Sequence, residues 1–246
     1  MRSKNVVTPK NLPDGPWKIL LQEALKIIDD LEVRGGIAKP FWTFGGGTVL
    51  MLRYGHRLSK DIDIFVPDPQ YLGYVSPRLS DVAAEVSEDY VEAAGYVKLI
   101  RPEGEIDFVA ASNLTNSPYE IWHILGREIK VETSAEIVAK KLWHRGHSAT
   151  ARDLFDLALV IEKDSENLKT AAEYLKKNRQ PFLSQLESRQ QILEVQFNAI
   201  NALNYKPTFT ESFESAQAFL NKLWINVDLT PIEFQIDFDA QAIFSI

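Results

Sequence analysis

The chain has 246 residues, of which 45% are hydrophobic and 25% are charged, and its formal net charge is −7. It contains no cysteine, which excludes disulfides, zinc sites built on thiolates and cysteine nucleophiles. No stretch approaches the ~18 consecutive apolar residues of a membrane helix, and the N-terminus lacks the apolar region of a signal peptide, so we expect a cytoplasmic protein with no membrane contact. Because the overall charge is negative, a nucleic-acid partner would need a local basic surface.

The first part of the chain predicts a helix, a buried strand, a glycine turn and a second helix. Apolar residues recur at helical spacing over residues 17–34, and residues 41–44 have the composition of a buried strand. The three glycines that follow allow a sharp turn and a close approach to a ligand. A short helix over residues 48–54 would place backbone amides and the Thr48 hydroxyl where they can hold phosphate oxygens. The alternative is that the glycines form only a tight turn.

Two aspartates in the next strand are the most informative feature of the sequence. Asp61 and Asp63 alternate with Ile62 and Ile64, so both carboxylates share one face of a strand while the isoleucines face a core. Adjacent carboxylates repel each other and favour a divalent cation, and oxygen ligands suit Mg²⁺ or Mn²⁺. The spacing therefore predicts a metal site, with a solvated strand face as the alternative.

The middle of the chain predicts one further helix and two hairpins. The helix covers residues 79–94 after a loop at 67–77, and the hairpin strands cover 96–101 with 105–111 and 120–125 with 128–132. Asp107 lies between two apolar residues on one of these strands. If that strand is an antiparallel neighbour of the Asp61 and Asp63 strand, Asp107 joins the same metal site.

The remaining chain predicts helices. Thr133 and Glu136 have the spacing of a capping box, which starts a helix that ends at Gly146. The next helix covers residues 150–161, and residues 168–203 and 213–224 are mostly helical. Residues 232–246 alternate apolar and polar positions, which predicts a late strand.

One face of the helix over residues 150–161 carries charged side chains. Arg152 and Asp156 are four residues apart, and Asp153 and Asp156 are three apart, so they can share that face. The spacing is equally typical of an intrahelical ion pair that stabilises the helix.

The ordered set of these elements resembles the nucleotidyltransferase superfamily and, within it, the AbiEii type of abortive-infection and type IV toxin proteins. The resemblance covers about the first two thirds of the chain. It rests on a Gly-Gly-Thr turn, an Arg-x-Ser-x-Asp-x-Asp run, a later aspartate and a Lys…Arg-Asp-x-x-Asp segment: Gly46, Gly47, Thr48, Arg57, Ser59, Asp61, Asp63, Asp107, Lys141, Arg152, Asp153 and Asp156. A third glycine, Gly45, precedes the usual pair.

The resemblance implies an α/β (α+β) fold, in which flanking helices surround the mixed sheet of a nucleotidyltransferase core and the C-terminal region is mostly helical. We expect residues 1–132 to form the core, and residues 133–246 to form a helical region that completes the active site.

The resemblance also implies roles for the matched residues. Asp61 and Asp63 would bind one or two Mg²⁺ or Mn²⁺ ions, and Asp107 would bind a second metal or activate the acceptor hydroxyl. Gly46, Gly47 and Thr48 would bind the phosphates of an NTP, and Arg57, Ser59 and Arg152 would complete that binding set. Lys141 would contact the triphosphate, and Asp153 or Asp156 would orient it or its nucleophile.

The implied activity is transfer of NMP from an NTP to an acceptor, with release of pyrophosphate. The acceptor would be RNA, such as a tRNA 3′ end, or a protein, and the chain would be a toxin with a cognate antitoxin encoded nearby. Two alternatives stay open: a nucleotidyltransferase that modifies an antibiotic or a metabolite, and a nucleotide-binding or partner-binding module without catalysis.

Overall fold

The computed structural model describes residues 6–9, 12–36 and 38–225. The strands in these ranges are β1 (Val6–Val7), β2 (Thr43–Gly45), β3 (Ile62–Val66), β4 (Tyr90–Ala93), β5 (Tyr96–Arg101), β6 (Gly104–Ala110), β7 (Tyr119–Ile124) and β8 (Arg127–Glu132). They form one mixed sheet, in the order β1-β7-β8-β2-β3-β6-β5-β4.

Helices surround this sheet and make up the described chain after it. They are α1 (Trp17–Arg34), α2 (Gly46–Tyr54), α3 (Tyr71–Val75), α4 (Asp81–Val86), α5 (Ser134–Arg145), α6 (Ala151–Lys169), α7 (Ala172–Lys177), α8 (Arg179–Ser188), α9 (Gln190–Asn198) and α10 (Phe209–Ile225). The predicted fold class is confirmed. No helix in the described ranges is long and apolar enough to cross a membrane.

The two faces of the central strands differ in the way the alternation predicts. Ile62, Ile64 and Val66 of β3 are fully buried, and α1 packs against β3 and β6 on that side. Asp63 and Phe65 point to the opposite face and are half-buried. This opposite face of β3, β6 and β5 carries the candidate site.

Two predictions about the middle of the chain are wrong in part. The strand that carries Asp107 pairs with β3 in parallel and not antiparallel. The predicted helix over residues 79–94 ends at Val86, and β4 then pairs with β5 as an edge strand. Backbone pairing to an existing sheet edge outweighs local helix propensity there.

Both predicted hairpins and the helix over residues 17–34 are confirmed. The predicted strand at 232–246 lies outside the described residues. The division into domains at residue 132 stays a prediction, and in the described ranges every strand precedes residue 133.

Candidate active site

Asp63 and Asp107 form the centre of the site. They lie directly opposite each other in the β3–β6 register, on adjacent parallel strands. Asp63 makes no hydrogen bond or ion pair with any residue that the structure describes, and Asp107 Oδ1 is buried without a hydrogen-bond partner. The nearest cation, Lys98 Nζ, lies 3.5 Å from Asp107 Oδ2. The two carboxylates therefore leave acceptor oxygens free for a ligand.

The surroundings of this pair leave its negative charge poorly compensated. Burial, with the added charge of Asp63, raises the pKa of Asp107 to about 7. Burial also raises the pKa of Asp63, although Lys141 and Arg145 lower it in part. A raised carboxyl pKa means that the charged form is disfavoured in the folded protein. A bound cation would offset the repulsion between the Asp63 and Asp107 carboxylates.

Asp61 is held differently from the other two carboxylates. It precedes β3, and its Oδ1 accepts a hydrogen bond from the backbone N–H of Glu105 at 3.1 Å. Among the described residues, no group of three or more His, Cys, Asp or Glu side chains is arranged as a metal site. Asp63 and Asp107 nevertheless fit Mg²⁺, which is commonly held by one or two carboxylates with substrate phosphates as further ligands. A third ligand at Asp61 stays a prediction.

The glycine turn lies against the site because each glycine leaves room for a functional side chain. A Cβ on Gly46 would lie 1.8 Å from Asp63 Oδ2, and one on Gly47 would lie 2.5 Å from Arg57 Nη2. A Cβ on Gly45 would lie 2.3 Å from Glu132 Oε2. A glycine is therefore required at position 45, because the buried side chain of Glu132 occupies the space that a Cβ would need.

We predict that Gly46→Ala destabilises the protein and abolishes its activity. Gly46 has a φ of +74° and its Cβ would overlap Asp63, whereas Gly126 has a φ of +77° with open space around it. Gly126→Ala should cost about 1 kcal/mol of unfolding free energy, from backbone strain alone. Gly46→Ala should cost about 3 kcal/mol or more, since overpacking adds to the same strain. Denaturant unfolding of both variants measures the difference, and equal losses would contradict the steric argument.

The Thr48 hydroxyl already has protein partners. The side chain is fully buried, and its Oγ1 donates a hydrogen bond to the backbone oxygen of Asp61 at 2.6 Å. The same Oγ1 lies 3.1 Å from Ser59 Oγ. Thr48 therefore fixes the segment that precedes β3, while Ser59 itself lines the cavity. Contact of the Thr48 hydroxyl with phosphate stays a prediction, and helix position alone did not reveal the burial of this side chain.

Asp156 is the centre of a fully buried charge cluster. Arg57 donates two hydrogen bonds to it, from Nε at 2.7 Å and from Nη2 at 2.8 Å. Lys141 Nζ lies 2.6 Å from its Oδ2, and His56 Nε2 lies 2.9 Å from its Oδ1. The charges of Arg57 and Lys141, with the hydrogen bond to His56, hold the pKa of Asp156 well below its ordinary value against the effect of burial. Burial lowers the pKa of His56.

Asp153 binds the same lysine from one turn earlier in α6. Its Oδ1 lies 2.9 Å from Lys141 Nζ and 3.0 Å from Arg145 Nη2. Its Oδ2 accepts hydrogen bonds from the backbone N–H and hydroxyl of Thr150, which completes a capping box at the start of α6. Both aspartates therefore position Lys141. Which of them orients the triphosphate or its nucleophile stays a prediction. The capping box predicted at Thr133 is incomplete, since the Glu136 carboxylate accepts from Leu114 and Thr115 instead.

A polar cavity of about 720 Å³ joins these groups. It is lined by both aspartates of the pair and by cationic and polar side chains of α5, α6 and the segment before β3: Arg57, Ser59, Asp61, Lys141, Arg145 and Arg152. Lys98 was not among the predicted site residues, since its sequence neighbours show no motif. The sequence places Arg145, with Lys140, Lys141, His144, His147 and Arg152, in a candidate basic surface for a nucleic-acid partner, with a solvated helix face as the alternative.

The alternative in which Arg152 and Asp156 form an intrahelical ion pair does not hold among the described residues. Asp156 is bound by cations from other elements, and Arg152 is exposed at the cavity wall with no ion pair in the part of the chain that the structure describes. Its guanidinium is therefore available to an anionic ligand in the cavity.

We predict that Arg152→Ala weakens NTP binding without changing stability. Losing a hydrogen bond to a charged phosphate raises the KM for NTP about tenfold or more. Lys163→Ala is the matched control, because Lys163 lies on the same helix, forms its one ion pair within the described ranges with exposed Glu162, and does not line the cavity. Steady-state kinetics and thermal unfolding of both variants test this, and an unchanged KM for Arg152→Ala would remove Arg152 from the site.

The chain matches a known protein family and several solved structures. A family model described as the nucleotidyl transferase AbiEii toxin of type IV toxin–antitoxin systems matches residues 36–228. Among solved structures, MenT4, a nucleotidyltransferase toxin from Mycobacterium tuberculosis, matches with a TM-score of 0.48 and 15% identity, over 83% of this chain and 83% of that chain. JHP933 from Helicobacter pylori matches with a TM-score of 0.44 and 19% identity, over 85% of this chain and 93% of that chain. A comparison with curated proteins gives no match.

Proposed function

Because the chain belongs to the AbiEii family of type IV toxin nucleotidyltransferases, we propose that it transfers NMP from an NTP to the end of an RNA acceptor in a reaction that depends on Mg²⁺. The observation that carries the proposal is the in-register pair of Asp63 and Asp107, which have free acceptor oxygens beside a glycine turn. The family also implies a cognate antitoxin.

In the proposed reaction, a hydroxyl oxygen of the acceptor attacks the α-phosphorus of the NTP. The bond from that phosphorus to the bridging oxygen breaks, pyrophosphate leaves with the electron pair, and the hydroxyl proton passes to solvent. Such transfer depends mainly on positioning and on electrostatic stabilisation. The side chains of the site are therefore assigned to those two tasks.

Asp63 and Asp107 would hold Mg²⁺, which when bound neutralises phosphate charge and polarises the α-phosphoryl group. Below about pH 7 the Asp107 carboxyl retains a proton, since its pKa is about 7, and cation binding would release it. Gly47 is the second residue of α2 and lines the polar cavity, so its amide lies at the end of a helix that favours phosphate oxygens.

Lys141 would neutralise the charge that develops on the phosphates. Asp153 and Asp156 hold its Nζ at 2.9 and 2.6 Å, so its position is set before the substrate binds. The Arg57 guanidinium forms an ion pair with Asp156, the same carboxylate that holds Lys141. Preorganised charges of this kind stabilise a transition state because they need no rearrangement during the reaction.

Labelling of RNA is the direct test. Purified protein is incubated with Mg²⁺, each α-radiolabelled NTP in turn, and total RNA or cell lysate, and the products are separated on a gel. We expect label in an RNA band, and none with Asp63→Asn. Label in a protein band would replace RNA by a protein acceptor. No label with any NTP would contradict nucleotidyl transfer to a macromolecule.

A further inference from the structure

A second cavity of about 570 Å³ meets the polar cavity at the aspartate pair. Both cavities are lined by Asp63, Asp107, Lys98 and Lys141. The second cavity has apolar and aromatic walls as well, from Phe65, Tyr96, Val109 and Ile137. The proposed reaction leaves this cavity without an occupant.

The sheet register places the two cavities on opposite sides of the carboxylates. Asp61, just before β3, lines the polar cavity; within β3, Asp63 lines both cavities and Phe65 lines the second cavity. The order along β6 is the same, with Glu105, then Asp107, then Val109. The strands therefore run from the first cavity, past the carboxylates, to the second.

The floor of the second cavity is a row of apolar side chains across three strands. Val109 of β6 pairs with Phe65 of β3 on one side and with Tyr96 of β5 on the other. This row lies two residues beyond the row formed by Asp63, Asp107 and Lys98, a separation of about 6.6 Å along the strands. The Tyr96 side of the row is open, since Tyr96 is 38% exposed.

An in-line displacement needs one binding site on each side of the transferred phosphorus, which accounts for two cavities. The attacking and leaving oxygens lie on opposite sides of the transferred phosphorus. Pyrophosphate would leave on the side of Arg57, Ser59 and Arg152, which line only the polar cavity. The acceptor must then approach from the other side of the carboxylates, where Tyr96 lies.

We propose that the second cavity binds the single-stranded end of the RNA acceptor, with a terminal base stacked on Tyr96; this rests on the proposed function. Aromatic rings beside cations are the usual means of binding single strands without reading their sequence. In a chain of net charge −7, four Lys or Arg side chains line this cavity against two aspartates: Lys98, Lys140, Lys141 and Arg145.

The positions of these cations indicate which ring is available. Lys140 Nζ lies 4.1 Å from the centroid of the Phe65 ring and 2.5 Å from Glu132 Oε1, so the face of Phe65 is already occupied. Arg145 has a side chain that is 51% exposed at the junction of both cavities, where it can meet an acceptor phosphate. Tyr96 is therefore the stacking residue.

The test is binding of a short fluorescein-labelled single-stranded RNA, measured by anisotropy with wild type, Tyr96→Ala and Tyr96→Phe. Loss of one stacked base should weaken RNA binding by about 5- to 150-fold in Tyr96→Ala. Tyr96→Phe should restore it, because stacking needs only the ring. The same strand annealed into a blunt duplex should bind weakly to wild type, since the cavity holds one strand.

Tyr74→Ala is the matched control, because Tyr74 is 37% exposed and lines neither cavity. Thermal unfolding of each variant shows whether it is folded, and the KM values for NTP and for RNA are measured separately. A higher KM for NTP with unchanged RNA affinity would overturn the inference and assign Tyr96 to the nucleotide base. If wild type labels RNA and Tyr96→Ala binds it normally, only this inference fails. If wild type neither binds nor labels RNA, the proposed acceptor fails with it.

Discussion

Asp63→Asn is expected to abolish nucleotidyl transfer while leaving the fold intact or slightly stabilised. Asparagine has nearly the same shape, so the space that Gly46 leaves for the side chain stays filled. The change removes a charge that would hold a cation and phosphates in place, and single electrostatic groups in phosphoryl transfer contribute about 10³-fold or more to the rate. Radiolabel transfer measures the loss, and growth inhibition on expression should disappear with it.

Stability should change in the opposite direction from activity. Burial raises the pKa of Asp63, so its charged form disfavours the folded state at neutral pH, above the ordinary carboxyl pKa. Removing that charge relieves the repulsion from Asp107 and should not lower the unfolding temperature. Active sites often carry this conflict between stability and function.

Asp89→Asn is the control for this prediction, since Asp89 is an exposed carboxylate whose side chain has no partner in the described ranges. It should change neither rate nor stability. A fully active Asp63→Asn would contradict the proposed function, and an unfolded one would show that Asp63 has a structural role.

Asp156→Ala is expected to destabilise the helical region strongly. It leaves Arg57, Lys141 and His56 in a buried cluster without the carboxylate that they share. Removing one partner of a buried ion pair costs about 3–5 kcal/mol, because the remaining charges stay desolvated. In a chain of this size the melting temperature should fall by roughly 10 °C or more. Calorimetry or denaturant unfolding measures the loss.

The pH dependence of stability follows from the same cluster. The pKa of Asp156 is well below its ordinary value of 3.8, so its contribution is complete above that value and is lost only as the pH falls towards the folded-state pKa. Asp156→Ala should therefore reduce stability across the neutral range, and its difference from wild type should shrink only in strong acid.

Glu162→Ala serves as the control on the same helix, because Glu162 is exposed and, among the residues that the structure describes, forms an ion pair only with Lys163. An exposed pair of this kind contributes about 1 kcal/mol at most. Equal effects of the two substitutions would contradict the assignment of Asp156 to a buried structural cluster. Loss of activity at normal stability would instead assign Asp156 directly to the reaction.

Local patterns predicted several parts of the fold correctly, including the face of each strand that carries an aspartate. Strict alternation around Asp63 and around Asp107 is enough to place both carboxylates on one side of a strand. The hairpins were predictable because their turns lie at glycines between apolar runs. The end of the helix at Val86 was not predictable, since the sheet edge that β4 joins is formed by distant residues.

The sequence by itself therefore determined which chemical groups are present and which face of each strand carries them, because both depend on neighbours within a few residues. Only the tertiary structure decided their partners. Asp156 meets His56 from 100 residues away along the chain, and Thr48 is buried against the backbone of Asp61. The parallel register that puts Asp63 opposite Asp107, and the two cavities that meet there, arise from packing between distant segments. Those contacts depend on the whole chain, and no local spacing encodes them.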